Sequence, residues 1–145
     1  MPTIDFFLIE VNDRNETEII GSKCIASFRD NQLNDLHLKD YLETRMLKDF
    51  SDGVVKPLNY IPLENIPSFI RNCDILIQGY CKDILKAYNE VDVFFEDSFQ
   101  SLMDTTDKIT QYTGVIQELE SLKFMCKYKY DKFKDAENVY LIVSM

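Results

Sequence analysis

Hydrophobic positions follow two different rhythms along this chain. Thr3 to Val11 alternates poorly but is dense in Ile, Phe, Leu and Val, which predicts a strand buried on both faces or nearly so. The polar run Asn12 to Glu16 (NDRNE) predicts a turn, because Asn and Asp favour turn backbone. Thr17 to Phe28 follows as a second strand with Gly21 as a bulge, so the two strands make a hairpin. At the other end, Val139 to Met145 (VYLIVSM) is β-branched and aromatic-rich after the DAEN turn, and predicts a third strand. A terminal strand needs a partner, and the hairpin supplies one, so the chain ends meet in one sheet.

Between the ends the period becomes helical. Asp30, Asn31 and Asn34 offer N-caps for a medium helix reaching about Phe50, with Leu38, Leu42, Met46 and Phe50 inward and Asp35, Lys39 and Glu43 as a charge ladder outside. The stretch SDG then ends it. Pro57 to Pro67 (PLNYIPLENIP) repeats a P-L-x-x-I unit, and its prolines deny helix amides and push preceding residues to extended geometry. It reads as a strap laid over the core through Leu58, Ile61, Leu63 and Ile66, in preference to an exposed docking segment.

Ser68 to about Asn89 repeats Phe69, Cys73, Leu76, Tyr80, Ile84 and Tyr88 at spacings of three and four, with Gly79 either a modest cost or a close helix contact. A second long helix begins near Asp92 or later. Its seam runs through Phe99, Leu102, Thr106, Ile109, Thr113 and Ile116, then through Leu119, Leu122, Cys126, Tyr130 and Phe133 after a slip in register. Gly114 is the one point that would allow this helix to bend or break. The expected fold is therefore α+β: a small antiparallel sheet of about three strands, N-terminal hairpin plus C-terminal strand, packed on one medium helix and a long antiparallel helical hairpin. With 145 residues, 46% of them hydrophobic, residues 1–145 are expected to form a single domain.

Charge adds a functional constraint. The formal net charge is −9, yet Lys123 to Asp135 (KFMCKYKYDKFKD) interleaves five lysines with aromatics. Acids lie near the start of the last helix and bases near its end, the order favoured by a helix dipole. With Leu122, Cys126, Tyr130 and Phe133 inward, Lys123, Lys127 and Lys134 fall on one flank and Lys129 and Lys132 on another, and the lysines need no ligand. Nucleic-acid binding through this patch is disfavoured by the field of an acidic chain. Glu96, Asp97, Gln100, Asp104, Asp107 and Gln111 lie on or beside the outer face of that helix, roughly opposite the apolar seam; a solvated face accounts for them, and the sharper reading is a surface that docks on a basic protein partner.

Reactive constellations are sparse. Cys24, Cys73, Cys81 and Cys126 lack tight spacing and sit in apolar stretches, so buried, reduced thiols are expected. A single histidine and the absence of CxxC argue against a zinc site, and Asp104 with Asp107 reads as a charge-laced face before a cation site. No glycine phosphate cradle is present, and His37, on a helix flank beside Tyr41, has no marked partner among the cysteines. No cofactor is called for. Nor does an apolar run reach membrane-spanning length or the start resemble a signal peptide, so a cytoplasmic chain without membrane partners is expected. These features point to a small acidic, non-enzymatic binding protein that occupies another protein's surface, as an immunity protein or phage-encoded inhibitor does. The alternatives are a structural or assembly component that oligomerises through the helical hairpin, and an enzyme or small-ligand binder with a carboxylate-lined pocket.

Overall fold

Strand β1 (Thr3–Val11) is the organiser of an antiparallel sheet, seen in a computed structural model that describes residues 3–20, 26–49, 52–90 and 99–145. On one edge it pairs end to end with β2 (Thr17–Ile19) and β3 (Ala26–Arg29); on the other it pairs with β6 (Val139–Ser144). The sheet continues outward from β6 to β5 (Val55–Ile61) and β4 (Glu43–Lys48). The chain ends do meet, as the need to pair a terminal strand requires. The second predicted strand is instead two short ones along one edge, and Gly21 lies outside the described residues.

Two expectations are corrected here. No medium helix spans Asp30 to Phe50: short 3-10 segments cover Asp30–Leu36 and Leu38–Tyr41, and the chain then extends as β4. His37 divides them with a left-handed φ of 52°, so it occupies a kink and not a helix flank. The fourfold spacing was misleading because Leu38 is buried while Met46 lies on an open face of an edge strand, with Leu47 turned inward in its place. Pairing with β5 supplies the backbone bonds that a helix would otherwise have made. The proline segment is the other correction. It is extended only to Ile61, as β5, and the chain enters helix α1 (Ile66–Glu90) with Pro67 in the first turn, where a missing N–H costs no bond. Burial of Ile61 and Ile66 and half-burial of Leu58 and Leu63 put this segment on the core.

Side chains alternate across the sheet into two clusters. Phe6, Leu8, Leu141 and Val143 meet Phe28, Phe69, Leu119 and Leu122 beneath the helices; Ile9, Leu47, Tyr140 and Ile142 gather on the opposite face. No helix is needed to bury that second cluster, because the sheet curls until its edges approach: Thr17 Oγ1 of β2 donates to the Lys48 carbonyl of β4 at 2.7 Å. Such curling also protects edges that would otherwise invite pairing.

Helix α1 and helix α2 (Phe99–Phe133) lie side by side across the main cluster, and α2 passes through Gly114 without a break. Burial is confined to one end of this pair. On α1 the buried residues are Ile66, Phe69, Cys73 and Ile77; on α2 they begin at Val115 and end at Lys129. Near the limit of the body, the Tyr80 and Tyr112 rings meet at a tilt with centroids 5.6 Å apart, and the Tyr80 hydroxyl donates to the Gln32 carbonyl. Beyond that point the hairpin projects past the sheet.

Candidate functional site

The projecting part consists of the last ten residues of α1 and the first dozen of α2, about 15 to 20 Å of helix. Its inner contact is made by half-buried residues such as Ile84, Leu102 and Ile109, while Leu85, Tyr88, Phe99 and Met103 stand exposed. Among the candidate acidic residues, Glu96 and Asp97 lie outside the described residues. Gln100, Asp104 and Asp107 are all exposed on this arm, and Gln100 Nε2 donates to Asp104 Oδ1 at 2.9 Å, one helical turn apart. The register of the face needs correction. With Val115, Leu122 and Cys126 buried, Asp104 and Gln111 share the helix side that faces the core farther along, not the side opposite to it. They escape burial because the sheet has ended.

The lysine-rich end of α2 is engaged within the chain. Lys123 pairs with Asp74 of α1, which holds its ammonium pKa above the usual lysine value, and also approaches Glu120 at 3.6 Å. Lys127 bonds Asp131 at 2.9 Å, and Lys132 lies over the Tyr128 ring at 5.2 Å. Lys129 departs from the expected flank. It is 4% exposed on the core side, its Nζ donates to the Phe133 carbonyl at 3.4 Å, and burial lowers its pKa. Tyr130, expected inside, is the exposed residue. A heptad-like reading places position 130 inward, whereas the helix keeps its straight period and turns 129 onto the core.

Lys129 also lines a cavity of about 330 Å³ beside the former strap, with Arg45, Lys134, Tyr60 and the carboxylates Glu43, Glu64 and Glu137. Tyr60 donates its hydroxyl to Glu43 at 3.0 Å, and burial first, then this bond, raises its pKa. Arg45 bonds the Tyr140 hydroxyl and lies 5.5 Å from that ring. Three acids and three bases thus line this small mouth. A larger open cleft of about 630 Å³ runs from the β1–β2 turn to β4, between Arg14, Arg45, Lys48 and Asn138.

Thiol chemistry finds little support in the geometry. Burial pushes the Cys73 thiol up to about 12 and raises that of Cys126 as well, so neither supplies thiolate at neutral pH. Cys81, expected to be buried, is exposed; Cys24 lies outside the described residues. His37 borders a cavity with Leu33, Asn34 and Asp40 and no described cysteine. Among the described residues, no three His, Cys, Asp or Glu side chains are grouped to hold a metal ion, and no helix is long and apolar enough to cross a membrane. No protein family, curated protein or solved structure matches the chain.

Proposed function

We propose that this chain is a non-enzymatic, cytoplasmic binding protein that uses its projecting hairpin arm to occupy a basic surface on another protein, in the manner of an immunity protein or phage-encoded inhibitor. The observation that carries this reading is the arm itself. Two helices continue for several turns after the last buried position, with large apolar side chains and acids left in water. Such an extension adds little to the stability of the domain, because its apolar surface stays hydrated and its backbone must still be ordered. The described arm carries Lys82, Lys86 and Lys108 beside Asp83, Glu90, Asp104 and Asp107, so the field that steers a basic partner comes from the net charge of −9 of the whole chain, with Asp104 and Asp107 as local contacts. Exposed Leu85 and Tyr88 supply the apolar contacts that hold a docked complex.

The test is affinity capture from host cells with wild type and with Asp104→Asn/Asp107→Asn in parallel. A basic protein retained by wild type, and bound more slowly and with flatter salt dependence by the variant, is the expected result. Equal capture by both at low and high salt overturns the reading. A second reading rests on the cavity around Lys129, whose three carboxylates and three bases suit a small zwitterionic ligand. Thermal stabilisation by an amino-acid library, lost in Arg45→Ala, would favour it.

A further inference from the structure

Beyond the basic partner, we propose that the outer face of α2 binds a second copy of this chain, forming a two-fold symmetric antiparallel helix pair centred between Thr113 and Gly114. Exposed helix faces ordinarily hold the charges. On α2 the face turned away from the core carries no charged residue of its own from Phe99 to Tyr128, although acids and lysines lie on both its flanks and, at its centre, Thr110 and Gly114 border a cavity shared with Ser27, Arg29 and Gln32. Its outer ends are large and apolar: Phe99 is 76% exposed and is followed by Met103, while Phe124 is 72% exposed and is followed by Tyr128. Smaller uncharged residues fill the middle, all of them exposed. The stripe keeps a spacing of about 3.6 residues, so it runs straight along the helix and stays in contact with a straight neighbour.

Three features select a second copy as occupant. An isologous contact requires a surface complementary to itself, in which residue i meets j and j meets i. Reversed on itself about Thr113 and Gly114, this stripe sets Phe99 against Tyr128 and Met103 against Phe124, large apolar groups facing large apolar groups, with small residues at the crossing. Next, the threonine hydroxyls are already satisfied: Thr106, Thr110 and Thr113 donate to the carbonyls of Leu102, Thr106 and Ile109 at 3.0, 3.0 and 2.8 Å. Docking strands no hydroxyl donor, and the methyls are free to pack. Finally, Gly114 is a helix-interior glycine whose added Cβ would touch nothing within 4 Å in a single chain. Glycine lowers helix stability relative to alanine, so the monomer gives no reason for it. A helix crossing at that point does.

Four large side chains per copy, largely withdrawn from water, bury on the order of 1,000 Å² over both copies, the lower edge of a specific interface. In this pairing the arm of each copy lies along the buried half of its partner's α2, and Asp104 and Asp107 sit outside the contact stripe. A dimer therefore presents two acidic arms, one at each end.

Sedimentation equilibrium up to about 100 μM, which populates any dimer with a Kd in the micromolar range, is expected to give twice the 17.0 kDa chain mass. Phe124→Glu and, separately, Met103→Glu should each return the chain to a monomer with an unchanged circular dichroism spectrum. Gly114→Leu should weaken the dimer at least tenfold while raising the melting temperature of dilute monomer. Register is read by crosslinking: in a background with Cys24 and Cys81 replaced by Ser, Thr113→Cys should oxidise to a disulfide-linked dimer, and Gln111→Cys should not. A wild type monomeric throughout the range overturns the proposal, as does a dimer indifferent to Phe124→Glu. A monomer whose Phe124→Glu variant loses capture of another protein also overturns it, and assigns the stripe to that protein. Dimerisation is untouched by Asp104→Asn/Asp107→Asn, so this result and the partner test fail independently.

Discussion

Strand β6 should be the mechanical centre of the fold, and two adjacent side chains on it allow that to be measured face by face. Leu141 is 0% exposed in the cluster beneath the helices, and Ile142 is 1% exposed in the cluster inside the curl of the sheet. Their backbone ladders run to β1 and β5 on both sides, so truncation leaves the strand pairing intact. Leu141→Ala removes three buried carbons at about 0.8 kcal/mol each, roughly 2.4 kcal/mol. Its neighbours Phe6, Phe69 and Leu119 belong to packed elements that cannot all collapse inward, so a residual cavity of several tens of Å³ adds about 1 kcal/mol. The expected loss is about 3 to 4 kcal/mol. Ile142→Ala removes as many carbons, but its cluster is rimmed by half-buried Phe7, Leu58 and Tyr60, which can lean in. About 2 to 3 kcal/mol is expected there. Urea unfolding at constant slope gives both values. Should Leu141→Ala cost less than about 1 kcal/mol, or less than Ile142→Ala, the assignment of the main core to the helix side is wrong.

Other expectations follow from the same packing. Deleting residues 138 to 145 should leave the chain insoluble or molten, as shown by loss of near-ultraviolet dichroism; an unchanged melting curve refutes the central position of β6. Because burial lowers the Lys129 pKa, native protein sheds that proton before unfolded chain does, so its stability penalty is full at neutral pH and is relieved as pH rises toward about 10.4. Lys129→Met should thus raise the melting temperature at pH 7 and remove part of the rise in stability as pH climbs toward about 10.4, and equal pH profiles for the two proteins would contradict this. In a thiol titration of folded protein, Cys81 should react within seconds and Cys73 and Cys126 only on unfolding; prompt reaction of Cys126 refutes its burial. Thr17→Val, which deletes the hydroxyl bond between the sheet's edges, should cost about 1 kcal/mol and accelerate amide exchange in β4 and β2 before the centre of the sheet.

Much of the fold was legible in the order of residues. Local composition sufficed for the terminal strands, since the β-branched and aromatic residues of VYLIVSM and IDFFLIEV fit a pleated, covered surface, and pairing a terminal strand forces the chain ends together. The two long helices were legible as helices from apolar periodicity, but the seam of α2 was not: Phe99, Thr106 and Thr113, expected inward, are exposed, and α2 kept its course through Gly114 because one glycine costs less than a broken packing face. Tertiary structure decided what local pattern leaves balanced. Glu43–Lys48 became a strand because β5 offered it a ladder, not because its own residues preferred one. The curl that buries Ile9 and Ile142 depends on contact between edges 31 residues apart in sequence, as at Thr17 and Lys48. The candidate site shows the same division. Asp104 and Asp107 were recognisable as exposed acids, but their side of the helix, the projection of the arm and the inward turn of Lys129 depend on where the sheet ends beneath α2. A periodic helix has no local mark for that boundary, because the same repeat continues whether or not a neighbour is there to cover it.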